Sequence, residues 1–359
     1  MSTLQVALAI AGGVVLAGVV AHSAWSSRKN KPRQADPVPG RDAEAGSQLA
    51  PPQDPQLDSS GLAGHDRMGH RTDPADLDAV VPQVDRRPIQ DALIDVLAPM
   101  ELESPVSGDA ALAAFPATRR VGSKLFTLEG VNAATGEWEQ LRAGQRYSAF
   151  QAGVQLANRM GPLNEIEFSE FVVKTQAFAD AVEGVPEFPE MLEEVARARE
   201  LDQFASSHDA QLSFSLKATK LAWSPGYVQQ NAARLGFVPG VIPGRMVIPA
   251  AMVGLPPILG LSFDSQAALA EDPTLSAIRD LTLTLDVPQV DRREEPFVRM
   301  CQIATELARV MEGVITDDHG QLLSPAAMHS IESDLRALYD TLDARDLSAG
   351  SVQARRLFS

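Results

Sequence analysis

No aspartate, glutamate, lysine or arginine occurs in the first 27 residues, and this gap constrains the chain more than any other feature. Residues 3–25 are apolar or small apart from Gln5 and His22. As a helix they would run roughly 34 Å at about 1.5 Å per residue, enough to cross a bilayer. Arg28, Lys29, Lys31 and Arg33 follow at once. The positive-inside rule then makes these four residues membrane-orienting and puts the C-terminal side in the cytoplasm. Trp25 stands where an interfacial aromatic belongs. A cleaved secretory signal is the competing reading, with Ala21-His22-Ser23-Ala24 as a loose cleavage site. A signal peptide carries its positive charge before the apolar run, and none precedes this one. The expectation is a single-pass anchor over 1–27 that contacts the lipid bilayer through residues 3–25.

The next stretch, 28–90, cannot build a core. Ser26 to Gln90 contains no Phe, Trp or Tyr and is rich in Pro, Asp, Gly, Ser and Gln, as in Pro51-Pro52-Gln53-Asp54-Pro55. Such composition buries too little apolar surface to offset chain entropy, so a disordered tether is expected. Sixty such residues span roughly 40–45 Å root-mean-square. His65 and His70 fall here and read as solvated residues rather than a metal pair. The whole chain carries a net charge of −16, which repels phosphate backbones and argues against a nucleic-acid partner. A single cysteine, Cys301, excludes a disulfide scaffold.

Beyond residue 90 the hydrophobic pattern alternates between strand and helix periods. Leu212, Phe214 and Leu216 alternate with Ser213, Ser215 and Lys217. Leu259, Leu261 and Phe263 alternate with Gly260, Ser262 and Asp264, and Leu281, Leu283 and Leu285 with Thr282, Thr284 and Asp286. Each strand thus has one apolar and one polar face, as in a sheet covered by helices on one side. Pro296 to Val310 carries Phe297, Met300, Ala304, Leu307 and Met311 on one stripe and ends before Gly313. Ser324-Pro325 and Ser224-Pro225 each open a helix with Ser as N-cap and Pro in the first turn. The first of these carries Met328, Ile331, Leu335, Leu338 and Leu342.

The same spacing occurs earlier. Phe168, Phe171, Thr175, Phe178 and Val182 precede Glu183-Gly184-Val185 as the later stripe precedes Glu312-Gly313-Val314. Ala152, Val154 and Leu156 stand where Leu281, Leu283 and Leu285 stand, and a second helix follows at about Pro189 to Phe204. Leu125-Phe126-Thr127-Leu128 likewise matches Ile258-Leu259-Gly260-Leu261. Two related units in tandem are expected, 91–206 and 207–345, followed by a flexible tail, 346–359. Val-Pro-Gln-Val-Asp-Arg-Arg occurs at 81–87 and again at 287–293, at places that are not equivalent in the repeat.

Asp209 to Asp343 resembles the ZipA C-terminal domain family. The residues that carry the resemblance are Ala210-Gln211-Leu212-Ser213-Phe214, the helix ending Leu235-Gly236-Phe237, Leu281 to Val287 followed by Pro288, and Val314-Ile315-Thr316-Asp317-Asp318 leading to Leu323-Ser324-Pro325. The anchor and Pro/Gln-rich linker have the family's order, and unit 91–206 reads as a degenerate copy. The resemblance implies an α+β fold, a mainly antiparallel six-stranded sheet with three helices on one face. It also implies a cell-division adaptor at the bacterial inner membrane, with the N-terminus periplasmic and the bulk cytoplasmic. Its open face would bind the C-terminal tail of FtsZ as an amphipathic helix. The expected open-face residues are Ser213, Ser215, Gly260, Ser262, Thr282 and Thr284, with Met246 and Ile248 as the apolar candidates. So polar a face leaves room for a different division or envelope partner, or for a site that draws on unit 91–206.

No motif of catalysis or cofactor binding accompanies these patterns. There is no Gly-x-Gly-x-x-Gly, no Gly-rich loop ending in Lys-Ser or Lys-Thr, and no His-Glu-x-x-His. Cys301 sits beside a buried stripe and reads as core. Asp317-Asp318-His319-Gly320 lacks the spaced carboxylates of a calcium loop and reads as a turn between short strands. The expectation is a non-enzymatic protein without cofactor, metal or small-molecule substrate.

Overall fold

Alternating side chains sort the chain beyond residue 90 into two antiparallel sheets, each with helices on its apolar face. The computed structural model describes residues 33–34, 89–270, 272 and 276–359. The expected anchor at 3–25, Arg28, Lys29, Lys31, His65, His70, nearly all of the linker and the heptapeptide copy at 81–87 lie outside the described residues. Among the described residues no helix is long and apolar enough to cross a membrane.

The first sheet is built from β1 (Asp95–Ser107), β2 (Arg120–Val121), β3 (Lys124–Asn132), β4 (Trp138–Gln140), β5 (Arg146–Gln155) and β8 (Gly184–Pro186). A separate ribbon pairs β6 (Ala157–Asn158) with β7 (Gly161–Pro162). The helices are α1 (Gly108–Ala114), α2 (Glu165–Val182) and α3 (Met191–His208). Strand order is β2-β3-β5-β1-β8, with β4 on β3. Sequence reading missed β1, although Val96, Ala98 and Met100 alternate along it and pair with Val154, Ala152 and Phe150 in the core.

The second sheet contains β9 (Gln211–Ala218), β10 (Val238–Pro239), β11 (Arg245–Ile248), β12 (Leu259–Ser262), β13 (Asp280–Asp286) and β14 (Gly313–Thr316). Its helices are α4 (Pro225–Arg234), the short α5 (Ser265–Leu269), α6 (Pro296–Met311) and α7 (Pro325–Asp343). The order is β10-β11-β12-β13-β9-β14, and every pair is antiparallel. Ser224 and Ser324 cap α4 and α7 as expected, accepting from the N–H groups of Tyr227 and Ala327. The stripe Phe297, Met300, Ala304, Leu307 and Met311 is buried, as is Phe168, Phe171, Thr175, Phe178 and Val182 in α2. Each large side chain so buried contributes about 1.5–3 kcal/mol.

Four strands in each half follow one plan. In chain order they are β1, β3, β5 and β8, then β9, β12, β13 and β14, and both sheets place the first between the third and the fourth. A helix follows the first, third and fourth strand of each set. Both α2 and α6 end on a glutamate in the left-handed region, Glu183 and Glu312, each at φ 54°. Its N–H bonds back to Ala179 or Ala308, and a glycine then opens the last strand. A Cβ on Gly184 would lie 2.8 Å from the Met100 side chain, and one on Gly313 would lie 3.1 Å from Leu216. The chain therefore turns this corner only with glycine next to the core.

The tail expected to be flexible is instead folded. It forms α8 (Val352–Leu357), capped by Ser351, and buries Ala354, Leu357 and Phe358. These apolar residues and their amide partners lie across the boundary between the halves. The periodicity over six helical residues is too short to read in a sequence.

Candidate functional site

Cross-strand register decides which side chains share the outer face of the second sheet. Thr282 faces Ser215 and Thr284 faces Ser213 across β13 and β9. Gly260 faces Thr284 and Ser262 faces Thr282 across β12 and β13. Directly opposed residues lie on one side of a sheet, so these six expected residues do form one surface. Met246 and Ile248 do not join it. They pair with Leu261 and Leu259, and Met246 is only 3% exposed, so both point towards the helices. One residue of register reverses every side chain of a strand, and the turn-rich approach to β11 hid that register. The outer residues of β11 are Arg245 and Val247.

The middle of the face is polar, with Val247 towards one edge and Val314 at the other. Its far side carries Lys217 opposite Asp280 and Val314, and Thr316 opposite Ser215. The Asp317–Gly320 stretch is a turn, as read: Asp317 accepts from the N–H groups of His319 and Gln321. It also brings Asp318 within 2.5 Å of the Ser213 hydroxyl, which donates to it.

At the other side the face sinks into a groove of about 550 Å³. Arg245, Val247, Gly260, Ser262 and Thr284 form its floor, and Pro256, Pro257 and Ile258 form one bank. The opposite bank comes from outside the sheet: Arg159, Phe358 and Ser359. Arg159 sits in the β6–β7 turn of the first half and holds two acids of the second half. It donates to Asp209 at 2.6 and 2.8 Å and to Asp286 at 2.7 and 2.8 Å. These hydrogen bonds raise its pKa, Asp209 contributing first and Asp286 second. Its backbone N–H donates to the Ser359 carbonyl. Arg245, in contrast, has no acidic partner among the described residues.

The bank is held by α8. Arg356 makes a two-pronged ion pair with Asp95, at 2.5 and 2.8 Å, and Asp95 is fully buried. Gln155 donates to the Arg356 carbonyl and Gln289 to the carbonyls of Arg355 and Phe358. Gln289 belongs to the heptapeptide at 287–293, whose Val287 and Val290 are buried and whose Pro288 accepts from Gly350. That copy serves to dock α8.

The outer face of the first sheet is arranged differently. Residues 89–90 cross it. Glu129, 2% exposed, accepts from the N–H groups of both Ile89 and Gln90. Gln90 exchanges amide bonds with Gln151, and Arg356 donates to the Ile89 carbonyl. Burial pushes the Glu129 carboxyl above its ordinary range, against the two backbone donors. Gly153 makes room, since a Cβ there would lie 3.0 Å from the Gln90 side chain.

Two further expected residues have clear positions. Arg33 lies against the second half rather than standing free: its backbone pairs with Ala222 and Ser224, and its guanidinium reaches Glu312 at 3.3 Å. Cys301 is half-buried, and burial followed by Glu332 pushes its thiol up to about 11, away from a nucleophile's range. Among the described residues no three His, Cys, Asp or Glu side chains gather as a metal site.

Comparison with curated proteins gave no match. The family model described as ZipA, C-terminal FtsZ-binding domain, matches residues 271–334, which run from the approach to β13 through α6 and β14 into α7. Over this part of the second half, the chain is ZipA-like.

Proposed function

We propose that this chain is a membrane-anchored adaptor of bacterial cell division that binds the C-terminal tail of FtsZ and tethers FtsZ filaments to the cytoplasmic membrane. The carrying observation is the match of a ZipA FtsZ-binding domain to residues 271–334, on the sheet whose outer face has a groove. The uncharged stretch 3–25 followed by Arg28, Lys29 and Lys31 supports an inner-membrane anchor with the bulk of the chain in the cytoplasm. In this reading 91–206 and 207–345 are related units. The shared strand order and the matched left-handed glutamates support that relation. Many tethered heads on one filament would hold by avidity, so each contact can be weak.

Co-sedimentation of the full chain in detergent with FtsZ filaments tests the proposal. Saturable co-sedimentation that a free FtsZ tail peptide competes away is the expected result. Recovery in the supernatant at tens of micromolar protein would end it.

A second reading rests on the polarity of the face. Ser213, Ser215, Thr282 and Thr284 offer hydroxyls where an apolar peptide would want aliphatic surface. In that reading the same scaffold serves a different division or envelope protein. Normal attachment of FtsZ rings in a deletion strain would favour it.

A further inference from the structure

Resting on the tail-binding reading above, we infer that the peptide site is composite: the partner peptide lies in the groove at the junction, not across the centre of the sheet. There it places a carboxylate on Arg245 and an apolar side chain against Val247, Pro256 and Pro257, with the Phe358–Ser359 segment as its wall.

Three observations lead to this occupant. First, the central and far parts of the face hold paired polar groups, with Ser213 already bonded to Asp318. Apart from Val314, the residues paired there are polar. The groove is concave with apolar residues on its bank, and its about 550 Å³ lies within the usual range of roughly 300–1,000 Å³ for ligand clefts. Second, its two cations differ. Arg159 is saturated by Asp209 and Asp286, whereas Arg245 has no acid partner among the described residues. A ligand carboxylate would complete a charge-assisted pair at Arg245, while Asp286 disfavours an acid near the other bank. Third, the first sheet shows how such a face takes a chain segment: residues 89–90 lie on it through backbone donors to Glu129 and an amide pair with Gln151. In both sheets Arg356 or its neighbours in the last segment flank the occupied region. The first half and α8 thus become part of partner recognition.

The test is fluorescence anisotropy of a labelled FtsZ tail peptide from the same organism, titrated with the full chain in detergent. Arg245→Glu and Val247→Arg are surface changes on the groove floor. Ser359→Trp is an exposed change that narrows the groove from its wall. Lys217→Glu reverses a charge on the same face at its far side. Each groove variant is expected to weaken binding by tenfold or more, and Lys217→Glu by less than twofold. If Lys217→Glu weakens binding while the three groove variants do not, the peptide lies across the far side. The composite site is then wrong although tail binding stands. Unchanged affinity for Ser359→Trp alone removes the last segment from the site and overturns its composite character. Absence of saturable binding by the unmodified chain overturns the tail-binding reading itself.

Discussion

The two sheets share a strand order but treat their outer faces in opposite ways. The first carries residues 89–90 over part of its face, pinned by Glu129, Gln151 and Arg356. The second leaves a polar face with a groove at one side. The difference comes from a few positions. Glycine at 153 lets Gln90 lie close, and Glu129 supplies the acceptor for two backbone N–H groups. On the second sheet the outer residues of β12 and β13 are Gly260, Ser262, Thr282 and Thr284, which include no carboxylate. One strand order thus carries, among the described residues, a face crossed in part by residues 89–90 and a face with a groove, and α8 contacts both halves.

Breaking the join gives the largest effect. Arg356→Ala leaves the fully buried Asp95 carboxylate with the Asp91 N–H but no counter-charge and removes the donor to Ile89. Removing one partner of a buried pair costs about 3–5 kcal/mol, and a loss of that size is expected in urea unfolding. A neutral result would mean that α8 does not join the halves.

Crowding the covered face comes next. Gly153→Leu pushes against Gln90 and Thr127, an overpacking worth about 1–3 kcal/mol. Hydrogen exchange at Ile89 and Gln90 is expected to speed up, with β9 to β14 unaffected. Spread of the change into the second sheet would show that the two faces are not independent.

The pH dependence sharpens the same contrast. Glu129 has a folded pKa raised above its unfolded value, chiefly by burial. Its contribution is therefore fully present below the unfolded pKa and is lost as pH rises through the raised one. Glu129→Gln keeps an acceptor oxygen for Ile89 and Gln90 but cannot titrate. Stability of the variant is expected to fall less than that of the parent as pH rises from about 4.5 towards neutrality. Equal slopes would contradict the assignment.

The smallest effect tests the shared plan itself. Glycine at Glu183 or Glu312 relieves a left-handed side chain and should stabilise each half by about 0.5–1 kcal/mol. The gain at Glu312 should be the smaller, because its ion pair with Arg33 is lost. Opposite signs at the two sites would argue against equivalent corners.

Much of this architecture is readable from the chain. Leu281, Leu283 and Leu285 announce a strand, and Ser324-Pro325 announces a helix start, because period and cap chemistry are local. What is not local stayed hidden. Nothing in residues 346–359 signals that they dock between two sheets, since their partners Gln155 and Gln289 are far away in sequence. Met246 and Ile248 fell on the wrong face because a four-residue strand after a turn does not carry its own register. The groove needed Arg159 and Ser359 beside β12, a juxtaposition that only tertiary packing creates.

The most direct measurement is hydrogen exchange of the full chain with and without a saturating FtsZ tail peptide. New protection confined to β11, β12 and the adjoining last segment, with β3 and β5 unchanged, is the expected result. Protection on β3 and β5 instead, with residues 89–90 released, would place the peptide on the first sheet and contradict the division of labour between the two faces.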